Sequence, residues 1–224
     1  MQNKINRFER KWIFKSENHL ALINTLLRSE FFFTNQYPQR KVNSIYFDDD
    51  NFSSIKENLN GVSNKRKIRI RWYGVEKELI KPQLEIKGKK GSETRKRNYS
   101  INELNNLKFS DLKNIEKIKN LVNVKIKLKK IIYPVLSTHY DRQYFISNNN
   151  KIRATVDYNI QSVYLKNISQ INIVKNFSKV CILELKYPTK LDRYVREKLK
   201  NITLRLSKNS KFVNSAFQKP RFFS

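Results

Sequence analysis

Glu9, Glu85 and Glu184 each stand two residues before a lysine, in Glu9-Arg10-Lys11, Glu85-Ile86-Lys87 and Glu184-Leu185-Lys186. In an extended chain, residues two apart share a face. Each carboxylate therefore lies on the same surface as a cation. Further cations follow the same rule. Lys67, Arg69 and Arg71 alternate with Ile68, Ile70 and Trp72, and Lys89 continues the series after Lys87. Arg142 lies in Tyr140-Asp141-Arg142, and Arg153 in Lys151-Ile152-Arg153. A carboxylate among many cations is either an ion-pair partner or a ligand for a hard divalent cation. For any one strand, a solvated face of an antiparallel sheet is the simpler account. The recurrence argues instead for a surface that gathers positive charge with a few carboxylates, as a polyphosphate or nucleotide substrate requires.

The composition points the same way. The chain has 224 residues, with 47 Lys and Arg against 19 Asp and Glu, a formal net charge of +28. Solubility needs a net charge of only about 2–8 in a small domain. The excess costs stability through self-repulsion, so a polyanionic partner is expected: nucleic acid, an anionic membrane surface or a phosphorylated small molecule. A composition rich in Lys and Asn explains part of the charge, but not its alternation along strands. No nucleic-acid motif is present, so no specific nucleic-acid partner is expected. There is no glycine-rich phosphate loop, no Ser/His/Asp set and no Cys/His pair. A covalent nucleophile is thus not expected. Cys181, the only cysteine, sits in an apolar run and reads as a buried, inert thiol. His19 and His139 form no zinc motif. No apolar run approaches the ~20 residues of a membrane helix, and the N-terminal residues lack a signal-peptide hydrophobic segment. A cytoplasmic protein is expected.

The elements that must position these residues are mostly strands. Alternation predicts strands at 5–15, 41–48, 64–74, 79–90, 94–100, 133–147, 150–157, 160–166 and 180–187. Leu20, Ile23, Leu26 and Leu27 form one stripe of a helix over 17–29, with Ser16 as its cap. A short helix over 51–60 ends at Gly61, and Asp48-Asp49-Asp50 reads as its N-terminal cap rather than a metal site. Residues 101–130 carry Leu and Ile at helical spacing and form a helical insertion. A charged helix follows at about 190–200. With few glycines and prolines to mark a boundary, the chain reads as a single domain over 1–224: α+β, antiparallel strands with helices packed outside. Closure into a barrel or tunnel would remove sheet edges and give the charged face an interior.

The ordered set Arg7-Phe8-Glu9-Arg10-Lys11, Ser44-Ile45-Tyr46-Phe47-Asp48, Lys67-Ile68-Arg69-Ile70-Arg71-Trp72-Tyr73-Gly74, Leu84-Glu85-Ile86-Lys87, Tyr140-Asp141-Arg142, Lys151-Ile152-Arg153, Leu183-Glu184-Leu185-Lys186 and Ser207-Lys208-Asn209-Ser210-Lys211-Phe212 resembles the VTC domain. This is the polyphosphate polymerase catalytic domain, within the triphosphate tunnel metalloenzyme, or CYTH-like, group. The resemblance implies an eight-stranded antiparallel β tunnel lined by basic side chains. It implies that ATP and polyphosphate are the partners, that the ATP γ-phosphate passes to a growing polyphosphate chain, and that Mn²⁺ or Mg²⁺ is required. The residues it puts in catalysis are Arg69, Arg71, Lys87, Arg142, Lys186, Lys208 and Lys211. Lys11, Arg153, Tyr140, Lys67 and Lys89 would bind phosphates or the nucleotide, with Lys96 or Arg97 as a further contact. Glu184 is the expected metal ligand, with Glu9 and Glu85 as further candidates. A membrane-protein partner for export, and a place at the inner face of a membrane, would accompany that activity. Arg7 stands where the wider group has its first strand glutamate, a departure that favours polymerase over the alternative of an inorganic or nucleoside triphosphatase. The third reading is a non-catalytic polyanion-binding module.

Overall fold

The computed structural model describes residues 7–90, 93–108, 112–165, 176–199, 206–207 and 210–217. In chain order the elements are β1 (Arg7–Lys15), α1 (His19–Leu27), β2 (Thr34–Asp48), α2 (Ser53–Leu59), β3 (Lys65–Tyr73), β4 (Glu78–Leu79), β5 (Gln83–Lys90), β6 (Glu93–Ser100), β7 (Leu107–Lys108), α3 (Leu112–Ile126), β8 (Tyr133–Ile146), β9 (Arg153–Tyr164), β10 (Asn176–Phe177), β11 (Val180–Pro188), α4 (Asp192–Lys198) and α5 (Lys211–Phe217). Eight strands follow the antiparallel order β1-β11-β9-β8-β2-β3-β5-β6, and β10 adds to β9. The α+β class expected from the alternation is the one found. Among the described residues, no helix is long and apolar enough to cross a membrane.

The chain divides into two compact units. The first comprises residues 1–40, 140–160 and 178–209. Its apolar core takes Trp12, Val156, Leu183 and Leu185 from one face of β1, β9 and β11, and packs them with Leu22 and Leu26 of α1 and Val195 of α4. The second unit comprises residues 41–139, 161–177 and 210–224. There Ile45, Ile68, Ile70, Trp72 and Leu84 come from β2, β3 and β5, and meet Ile118 and Val122 of α3. A smaller cluster joins Tyr46, Ile55 of α2 and Phe212 of α5. In both units the residues between the buried ones carry the charge, so one period-two pattern builds the core and aims the cations away from it.

Three expectations are refined. The strands expected at 150–157 and 160–166 are one strand, β9, with Asn159 in the left-handed region at φ 51°. That residue breaks the alternation without ending the strand. β2 begins at Thr34, well before residue 41, and its first half is exposed and lacks an apolar rhythm. Ser16 starts a short 3₁₀ turn and makes no side-chain cap. The Asp48-Asp49 reading holds. Asp48 accepts the backbone N–H groups of Ser54 and Ile55, and Asp49 accepts that of Ser53, at 2.9–3.0 Å.

Candidate active site

In the first unit, β1 and β11 place Glu9 opposite Lys186 and Lys11 opposite Glu184. The four side chains form a closed quartet. Lys11 Nζ lies 2.9 Å from Glu9 and 3.3 Å from Glu184, while Lys186 Nζ lies 2.5 Å from Glu184 and 3.8 Å from Glu9. Glu184 is 7% exposed. Burial alone would raise its carboxyl, but Lys186, Lys11 and then Arg142 outweigh burial and hold it down at about 2. Burial likewise opposes the charge on Lys11, and Glu184 and Glu9 reverse that effect, so its pKa is raised. β9 continues the face, with Thr155 opposite Glu184 and Arg153 opposite Lys186. Arg142 of β8 makes two parallel bonds to the Asp157 carboxylate, Nε–Oδ1 at 2.5 Å and Nη2–Oδ2 at 2.7 Å. Its guanidinium lies 5.3 Å from the centroid of the buried Tyr140 ring. Arg142 loses solvation by burial, yet Asp157 raises its pKa and keeps it charged.

In the second unit, Arg69 faces Tyr46 of β2 on one side and Glu85 of β5 on the other. Arg69 Nη2 lies 2.5 Å from Glu85 Oε2, and Lys96 Nζ lies 3.3 Å from Oε1. Burial pushes Glu85 up, but Arg69, Arg71 and Lys96 bring it down to about 2. Arg69 also donates to the Tyr46 hydroxyl at 3.3 Å. Tyr46 is fully buried, which would raise its pKa, yet Arg69, Lys67 and Arg71 lower it to about 7. Its ring stacks on Phe212 at 4.7 Å. Lys67 donates to Ser210 Oγ at 2.7 Å, and its ammonium lies 5.5 Å from the Phe212 ring centroid. Arg71 donates to Ser44 Oγ at 3.4 Å. Lys87 pairs in register with Lys67 and with Lys96, on the face that carries Glu85. Arg97 pairs with Ile86 and points to the opposite face, so Lys96 is the β6 residue that joins this group.

Glu9, Lys11, Tyr140, Arg142, Arg153, Glu184 and Lys186 thus belong to one unit, and Lys67, Arg69, Arg71, Glu85, Lys87 and, on α5, Lys211 belong to the other. Lys208 lies outside the described residues, as does the side chain of Lys89. Sequence reading passed over Asp157, Tyr46 and Thr155. Asp157 does share the period of Arg153-Ala154-Thr155-Val156-Asp157, a signal that could have found it.

Among the described residues, no three His, Cys, Asp or Glu side chains converge as a metal cluster. The quartet nevertheless fits a hard cation. Glu9 and Glu184 share both lysines, and the buried Thr155 Oγ1, on the strand beside Glu184, has no hydrogen-bond partner. Mg²⁺ or Mn²⁺ at such a place takes one or two carboxylates and completes its shell with water and substrate phosphate oxygens. Glu85, bound by Arg69 and Lys96, is occupied as an ion-pair partner.

A family model described as the VTC domain matches residues 6–218. Comparison with curated proteins gave no match. Two solved bacterial structures, each called a "putative adenylate cyclase", share the fold. The one from Bacillus halodurans is 16% identical with a TM-score of 0.53, covering 96% of this chain and 96% of its own. The one from Vibrio parahaemolyticus is 11% identical with a TM-score of 0.51, covering 93% of this chain and 98% of its own.

Proposed function

The chain belongs to the VTC domain family, and on that premise we propose that it is a metal-dependent polyphosphate polymerase using ATP. The observation that carries this reading is the Glu9, Lys11, Glu184 and Lys186 quartet. Its charges are balanced among themselves in the free protein. A triphosphate offers its oxygens to the two lysines, which releases the two carboxylates for a divalent cation.

Phosphoryl transfer asks for positioning and neutralisation of charge more than for covalent catalysis. Here an oxygen of the polyphosphate end bonds to the γ-phosphorus of ATP, the bridge between the β- and γ-phosphates breaks, and ADP leaves. The incoming oxygen is already anionic, so no general base is required. Arg69 and Arg71 present guanidinium groups that match phosphate oxygens in a fork geometry. Lys87, which is exposed, and Lys67 add point charges. Arg142, locked by Asp157, supplies a fixed cation that needs no reorganisation as charge develops. The cation at Glu184 and Glu9 would withdraw charge from the phosphate oxygens.

Incubation of the pure protein with ATP and Mn²⁺, with and without a short polyphosphate primer, tests the reading. A ladder of polymer on a stained gel is expected. Free phosphate without polymer would assign a triphosphatase instead, and neither product would leave a binding module.

A further inference from the structure

The second unit carries another cationic concavity, on the face of β3, β5 and β6 opposite Lys67, Arg69 and Lys87. It is a cavity of about 730 Å³. Its floor is Gly88. Arg66 of β3 and Arg95 of β6 are the two cross-strand neighbours of Gly88, one on each side. Adjacent strands lie about 4.8 Å apart, so the two arginines flank a strip one strand wide. A Cβ at Gly88 would meet no atom within 4 Å, so the strip between them is open at its base. Lys127, Lys129 and Lys130, from the connection between α3 and β8, line the same cavity.

The carboxylates nearby cancel only part of this charge. Asp48 and Asp49 direct their oxygens to the backbone N–H groups at the start of α2. Asp49 pairs with Lys130 at 3.8 Å, and Glu57 is the remaining acidic residue of the lining among the described residues. Six cations around one cavity, Lys65 among them, repel one another, and a bound polyanion relieves that cost.

We propose that this groove is a second anion site, which takes a linear inorganic polyphosphate chain. Among the described residues no aromatic side chain lines it, which selects that ligand over single-stranded nucleic acid, whose bases need stacking platforms. The rest of the described lining is Ser54, Asn64 and the aliphatic Ile68, Leu128 and Ile132, none of which is a stacking platform for a base. The proposal does not depend on which reaction the quartet serves, because its readout is binding.

The test is calorimetric titration of the full chain with polyphosphate of defined length. The protein bearing Arg69→Ala and Arg71→Ala is expected to retain one binding event. Adding Arg66→Glu and Arg95→Glu should weaken that event tenfold or more. Gly88→Glu serves as a second variant. It needs no special backbone, projects into open space and places a carboxylate between the two arginines, so it should weaken binding in a protein whose circular dichroism is unchanged. An oligonucleotide of equal charge should not displace the polyphosphate. Undiminished binding in both the Arg66/Arg95 and Gly88 variants would overturn the proposal, as would displacement by the oligonucleotide.

Discussion

Lys11 and Glu184 face each other across β1 and β11, with Lys11 Nζ 3.3 Å from Glu184 Oε2. One rung along, Glu9 and Lys186 repeat the pairing with the charges exchanged. The reversal makes the quartet neutral, and each charge touches both opposite charges. Removing one member leaves a mismatch. Lys11→Met should leave Glu184 short of a partner and raise its carboxyl. Binding of Mn²⁺ in the absence of nucleotide, followed by calorimetry, should then become tighter, because the metal no longer competes with that lysine. Unchanged or weaker binding in a folded variant would contradict competition between Lys11 and the metal.

Glu85 makes acid sensitivity predictable. Its folded pKa is about 2 against an ordinary value of 4.5. The stabilisation is fully present above about pH 4.5 and is lost as the pH falls from there toward 2. It amounts to on the order of 3 kcal/mol. Urea unfolding at stepped pH should show this loss in the native protein. Glu85→Gln should flatten the profile in that window, and an equally steep acid loss in the variant would contradict the assignment.

Arg142 is largely buried, its side chain 14% exposed, and its bidentate partner Asp157 is wholly buried. Breaking a buried pair by removing one side costs about 3–5 kcal/mol, because a charge stays behind unpaired. Asp157→Ala should therefore destabilise the protein by that amount in denaturant titration. A loss below about 1 kcal/mol would contradict the cost of an unpaired charge at Arg142.

The Tyr46 hydroxyl should ionise near pH 7 in the free protein, against about 10 for an ordinary tyrosine. Ultraviolet difference titration should detect one early component, absent in Tyr46→Phe. Saturating tripolyphosphate should move it upward, because phosphate neutralises the Arg69, Lys67 and Arg71 charges that lower it. An early component untouched by tripolyphosphate would separate Tyr46 from the phosphate site.

Much of this was legible in the chain, because a period of two dictates a face. Lys67, Arg69 and Arg71 share a face with Glu85 and Lys87 in the β3–β5 register, as their spacing requires. The helical spacing over 101–130 became α3. What spacing could not give is partnership between distant segments. Nothing local links Arg142 to Asp157, or Lys67 to Ser210, 143 residues away. The left-handed Asn159 hid the continuity of β9, since it interrupts the alternation on which strand recognition depends. The first half of β2 carries no apolar rhythm at all, because neither of its faces is buried there.

The proposed phosphoryl transfer depends on a cation held at Glu184. The most direct test compares polymer formation from radiolabelled ATP and Mn²⁺ by the native protein and by Glu184→Gln, with the fold of both verified by circular dichroism. Removing one preorganised electrostatic group typically costs about 10²–10³ in rate, so the native protein should build a ladder and the variant should lose at least a hundredfold. Polymer from the folded variant at the native rate would contradict a metal-holding role for Glu184.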